Sequence, residues 1–178
     1  LLVADRERLL FGGGGLGGCG LPRCKREVRA LPLTPPFAWT TAAPEGPASP
    51  AVVSPVMVRD GSNDRWLLLG DPEGGLDVPR ALAGGATPQW TPVASRGTPS
   101  GASIVAAVHE PGTGGTLVFG FTNPDTLRAW RVAHGDTRVW TAVDASGPGP
   151  AARICPAVTA DRAQERALLQ GGLLAGAG

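Results

Sequence analysis

Tyrosine is absent from this 178-residue chain, histidine occurs only twice and methionine once. Without tyrosine there is no phenolate to serve as a metal ligand. The two histidines, His109 and His134, accompany no serine or cysteine nucleophile at a recognisable elbow, and both read as surface histidines. Charge of one sign is also missing: 16 basic residues face 15 acidic ones, for a net charge of +1. No long-range field therefore draws in nucleic acid or an acidic membrane. No apolar run approaches the roughly 18–20 residues needed to span a bilayer. Leu1 to Val3 is too short, and lacks the basic flank, to be a secretory signal. The three cysteines, Cys19, Cys24 and Cys155, form an odd set, expected as free thiols in a reducing, cytoplasmic compartment. A Cys19–Cys24 loop disulfide or half of a metal site is the alternative, but no second Cys/His pair stands at metal-ligand spacing. No metal and no cofactor is expected. The chain opens Leu-Leu-Val and its one methionine is Met57, so it is expected to be a piece of something longer.

Glycine and proline, by contrast, are abundant, at 27 and 18 residues. Such a load without periodicity would indicate disorder, but a period is present. WTTAAPEG from Trp39, WTPVASRG from Trp90 and WTAVDASG from Trp140 each place a glycine seven residues after the tryptophan, at Gly46, Gly97 and Gly147. The tryptophans are 51 and then 50 residues apart. At an offset of 50, Val58 falls on Val108, Leu67 to Leu69 on Leu117 to Phe119, and Gly70 on Gly120. Repeats of this length stack as units that cannot bury their own faces alone.

Each unit reads as about four short strands separated by turn chemistry. The first gives Leu2-Val3, Arg8 to Phe11, Glu27 to Leu31 and Phe37 to Thr40. In the second the strands are Val56 to Arg59, Trp66 to Leu69, Leu76 to Arg80 and Gln89 to Val93. Pro92 suits an outermost strand, whereas Pro79 is hard to place in any ladder. The third unit supplies Ile104 to His109, Thr116 to Phe121, Leu127 to Val132 and Val139 to Val143. A fourth begins at Ile154, and no third or fourth strand follows. Its segment Asp161 to Gln170 has helix formers throughout, yet the repeat register places a hairpin there. The expected boundaries are 1–50, 51–101, 102–150 and 151–178.

A hydrophobic strand ending in Gly-Gly, then a tryptophan, then G-x-x-P-x-x-R is the pattern that decides a family resemblance. Leu9 to Gly13 and Leu168 to Gly172 carry the diglycines Gly12-Gly13 and Gly171-Gly172. Trp39, Trp90 and Trp140 carry the aromatic, and Gly147, Pro150 and Arg153 the tail. This resembles the kelch repeat, with Asp71 and Phe121 replacing the second glycine and Ser103 the arginine. The resemblance implies an all-β fold, a β-propeller of four-stranded antiparallel blades with about three and a half blades present. It implies blade-to-blade packing for the tryptophans and an inter-strand hydrogen-bond role for Arg153. It also implies a non-enzymatic protein-binding module that displays loops to another protein. A carbohydrate-binding or galactose-oxidase-like propeller is the second reading, and a purely structural segment of a larger propeller the third. The absent tyrosine counts against the oxidase, and no Arg/Glu/Trp set recurs per unit for a lectin. Open blade edges are expected to promote self-association.

Two further candidates remain. Gly15 to Gly20 spells G-x-G-x-x-G, but Pro22 and the polar run after it form no helix to hold a pyrophosphate. Arg23, Lys25 and Arg26 make the one basic cluster, on a loop of the first unit, and are the leading candidates for partner contact.

Overall fold

The computed structural model describes residues 2–4, 8–12, 28–42, 52–60, 62–72, 80–83, 88–110, 113–122 and 125–174. These are all-β: among the described residues there is no helix, and the strands form several small sheets, none of them closed on itself. The chain divides into two compact units, Leu1–Arg59 with Asp64–Val93, and Asp60–Asn63 with Ala94–Gly178.

In the first unit, β1 (Leu2–Ala4), β2 (Arg8–Gly12), β3 (Val28–Pro32) and β4 (Thr40–Ala42) form an antiparallel sheet in chain order. A second four-stranded sheet follows in the same order: β5 (Val52–Asp60), β6 (Arg65–Pro72), β7 (Arg80–Ala83) and β8 (Gln89–Pro92). Val28 and Ala30 of β3 join Trp66 and Leu68 of β6, Leu82 of β7 and Trp90 of β8 in one buried cluster, with Met57 against it. Leu67 and Leu69, pointing to the opposite face of β6, are buried as well. A strand covered on both faces reads as an unbroken apolar run, which is what Trp66 to Leu69 is. At its start the Arg59 guanidinium lies 5.2 Å from the Trp66 ring centroid and pairs with Asp64.

The second unit is built on β10 (Ser103–Glu110), β11 (Gly115–Phe121), β12 (Arg128–Ala133) and β13 (Thr137–Ala142), each antiparallel to the next. A bulge between Ile104 and Ala106 interrupts the first pairing. The fifth strand of this sheet is β9 (Ala94–Arg96), which lies parallel to β13 with Ala94 opposite Thr137. Val118 and Val132 sit fully buried at the sheet's centre. Beyond it, β14 (Arg153–Ile154) pairs with β17 (Leu173–Leu174), and β15 (Ala157–Asp161) forms a hairpin with β16 (Arg166–Gln170). β15 packs beside β10.

The hairpin settles the contest over Asp161 to Gln170 in favour of the repeat register. Helix propensity is worth a few tenths of a kcal/mol per residue, less than strand pairing and the local contacts of the turn contribute. Asp161 accepts from Gln164 N–H at 3.3 Å and from Arg166 Nε at 3.0 Å, closing the loop. Pro92 ends β8, the outermost strand of its sheet, as its missing donor requires.

Four expectations shift. The fourth strand of the first sheet is Thr40–Ala42 rather than Phe37 to Thr40, because the connection 33–39 continues as bends through Pro36, whose carbonyl accepts from Ala38 N–H. The third strand of the second sheet is Arg80–Ala83, just past Pro79, and most of the expected Leu76 to Arg80 lies outside the described residues. Residues 94–96, inside the second repeat, belong to the third sheet. Finally, Leu173–Leu174 forms a short strand in the fourth repeat, but with β14 and not with the hairpin.

Candidate functional site

Two groups of polar side chains converge in the second unit, and neither is apparent from chain order. The first is buried. His134, at the end of β12, has a side chain only 1% exposed. Its Nε2 is 2.8 Å from Thr116 Oγ1 on β11, and its Nδ1 is 3.6 Å from Asp60 Oδ1. Asp60 in turn accepts from Asn63 Nδ2 at 2.9 Å. The His109 ring stacks on His134 with centroids 6.2 Å apart. The expectation of two surface histidines is therefore overturned for His134. Burial of a polar group is tolerated when its hydrogen bonds are made: Thr116 makes the one at Nε2, while the Asp60 carboxylate stands beside Nδ1 at a distance beyond a hydrogen bond. Carboxylate, imidazole and hydroxyl stand in the order of an acyl-transfer triad. Asp60 and Thr116 are fully buried, so this arrangement presents no face to a substrate and serves to tie a turn to the sheet.

The second group lines a cleft of about 430 Å³ between the β10–β11 turn and the β15–β16 hairpin. Val108, Leu117, Ala160 and Ala167 form its apolar lining, and its polar groups include His109, Glu110, Asp161, Glu165, Arg162 and Arg166. Glu110 is gripped by Arg131 from β12 through a bidentate pair, Nε to Oε2 and Nη2 to Oε1, both 2.7 Å. Thr113 Oγ1 donates to Glu110 Oε2 at 2.8 Å. The Arg131 hydrogen bonds hold the Glu110 carboxyl below the usual range against the opposing effect of burial, with Thr113 assisting. The same bonds raise Arg131. With Asp161 paired to Arg166 through one contact, two of the three carboxylates lining the cleft are held by arginine, the third being Glu165, and the lining suits a small amphipathic group. Among the described residues, no group of three or more His, Cys, Asp or Glu is placed to bind a metal.

The lowered Glu110 has a consequence for pH. Its contribution to stability is present above the unfolded carboxyl value of about 4.3 and is lost as pH falls through the lower folded value. The difference in melting midpoint between the native chain and Glu110→Gln should therefore be widest near neutrality and shrink towards pH 3. Arg131 is half exposed, so the gap is small even at its widest. A gap independent of pH would show that the pair contributes nothing.

The repeat residues fall at defined places. Trp90 and Trp140 are buried at 4% and 7% exposure, opposite Leu82 and Val132. Trp39, one residue before β4, is 51% exposed. Trp140 Nε1 donates to Ser95 Oγ on β9 at 3.0 Å. Gly97 has φ +73°, and a Cβ there would meet the Trp140 carbonyl oxygen at 2.8 Å; only glycine fits. Gly147 shares the positive φ, at +85°, but faces open space. The Pro150 carbonyl accepts from Leu127 N–H at 3.0 Å. Arg153 Nη1 donates to the Gly171 carbonyl at 3.0 Å and its Nε to the Ala151 carbonyl at 3.3 Å. At Gly172, φ is +85° and a Cβ would strike the Ile154 carbonyl at 2.7 Å. Gly12 ends β2 opposite Val28. Gly13, Arg23, Lys25 and Arg26 lie outside the described residues.

Sequence reasoning missed Asp60, Thr116 and Arg131. Asp60 and Glu110 are 50 residues apart and both end the first strand of their repeats, a shared acidic position that could have drawn attention to them. Neither a protein-family model nor a curated protein matches the chain. No helix among the described residues is long and apolar enough to cross a membrane.

Proposed function

We propose that the chain is part of a kelch-type β-propeller that acts as a protein-binding scaffold rather than an enzyme. Two four-stranded arrangements built 50 residues apart in the same order, β5 to β8 and β10 to β13, support the repeat. So does the Arg153 link to the diglycine at Gly171. The four repeats, 1–50, 51–101, 102–150 and 151–178, are its blades, and the exposed Cys155 thiol suits a reducing compartment such as the cytoplasm.

The observation that carries protein binding is the connection between β3 and β4. Leu33, Phe37 and Trp39 are 43%, 64% and 51% exposed within seven residues. Exposed aromatics grouped on one connection are the usual anchors of a protein interface. Arg23, Lys25 and Arg26, in the same repeat, supply the charge that steers a partner. A lectin reading gains no such support: the Glu110–Arg131 pair has Asp60 and Ala81 at the corresponding positions of the preceding repeat, so it does not recur.

The scaffold reading is tested with the immobilised chain as bait and captured proteins identified by cross-linking and mass spectrometry. Phe37→Ala with Trp39→Ala should reduce capture of the specific partners at least tenfold. Glu at positions 23, 25 and 26 should do the same, and neither variant should shift the melting midpoint. Capture unchanged in both sets would reject this surface.

A further inference from the structure

We propose that the cleft between the β10–β11 turn and the β15–β16 hairpin binds a small zwitterion with an apolar body. This is the chemistry of an apolar α-amino acid, or of a very short apolar peptide with free termini. Such a site does not depend on the chain being a protein-binding scaffold. Both walls are hairpins closed within the chain, and β15 packs beside β10. At about 430 Å³ the cleft lies within the roughly 300–1,000 Å³ of small-molecule sites, which are mostly apolar with a few polar groups to orient the ligand. Its apolar lining consists of two cross-strand pairs, Val108 opposite Leu117 and Ala160 opposite Ala167, and residues paired in this way share a face of their sheet. All four are half-buried. The two alanines leave room that larger side chains would fill. The His109 ring also borders the cleft and is backed by the buried His134 ring, which gives that side a fixed wall.

The charge left over decides the class of ligand. Glu110 is taken up by Arg131 and Thr113, and Asp161 by Arg166 and the Gln164 N–H. Arg162 and Glu165 also line the cleft, yet among the described residues neither makes a hydrogen bond or an ion pair. Both are exposed and stand three residues apart on the β15–β16 turn, whose shape Asp161 holds through its bond to Gln164. One cation and one anion therefore border an apolar lining with no partner of their own. A simple anion would answer Arg162 and meet Glu165 unfavourably, a simple cation the reverse, and a wholly apolar ligand would strip water from both. A zwitterion complements both charges while its apolar body covers the lining.

The test is titration of the 178-residue chain with leucine and with the dipeptide Leu-Leu, read from the imidazole protons by NMR. The chain has only two histidines, and the one that borders the cleft is His109, so its resonances report occupancy. A saturable shift is expected with at least one probe, and the tighter binder distinguishes a free amino acid from a peptide. Acetylating the amine of that probe, or amidating its carboxylate, should each weaken binding about fivefold, the upper end for an exposed ion pair. Glu165→Gln should abolish the preference over the acetylated form, and Arg162→Gln the preference over the amide. No saturable shift with either probe, or binding that leaves the His109 resonances unmoved, would overturn the site. Equal affinity for the probe and both of its neutralised forms would overturn the zwitterion. If either variant fails to fold, the two neutralised forms on the native chain decide the matter alone.

Discussion

Replacing Trp90 by alanine should cost about 3–5 kcal/mol of folding stability, the range for a large aromatic removed from a packed interior. The same change at Trp39 should cost less than about 1 kcal/mol, as for other exposed positions. The two residues hold the same place in the repeat but not in the packing. Trp90 lies in β8 and closes a cluster with Leu82, Trp66 and β3's Val28 and Ala30, and its removal leaves a cavity between two sheets. Trp39 stands outside β4 with half its surface open. Denaturant titration of both variants measures the contrast directly. Equal losses would mean that Trp39 has a packing role its exposure does not reveal, and would weaken its assignment as a docking anchor.

Gly97→Ala should cost about twice as much as Gly147→Ala. Both residues close the W-T…G motif and both have φ in the left-handed region, which an L-residue occupies at a cost of roughly 1–2 kcal/mol. That is all Gly147 should show, since a methyl there meets nothing within 4 Å. At Gly97 the methyl would also press on the Trp140 carbonyl oxygen at 2.8 Å, a backbone atom that cannot rotate away. Relieving the clash means moving β9 off β13, and overpacking of this kind adds about 1–3 kcal/mol. Similar losses at the two positions would show that β9 has room to retreat.

The strand pattern was legible because the same apolar spacing recurs at a fixed interval. Leu67 to Leu69 and Leu117 to Phe119 identify one another, and the register extends to Leu168-Leu169, where it correctly outweighed local helix propensity. What escaped was whatever depends on a distant partner. Ala94, Ser95 and Arg96 carry no strand preference of their own and become a strand only because Thr137 to Val139 lie alongside. Ala81 is a poor strand former held in place by burial between β6 and β8, so composition alone points to a strand nearer Leu76. The Asp60, His134 and Thr116 group was hidden for a related reason. Asp60 ends β5 and His134 follows β12, next to turns where polar residues are ordinarily solvated, and nothing local signals that these two are buried. The exposure of Trp39 was illegible as well, since its repeat position is shared with two buried tryptophans.

The parallel pairing of β9 with β13 has a consequence for the chain as it is made. β9 leaves the ribosome directly after β8, but Thr137, its first partner, follows roughly 40 residues later. At about 5–20 residues per second the tail of one repeat waits roughly 2–8 seconds for the edge it will occupy. During that interval Ser95 has no indole to accept from and Gly97 has no carbonyl to approach. The second repeat is thus finished only by the synthesis of the third, so a pause in translation between residues 97 and 137 should leave β9 accessible to proteases or chaperones.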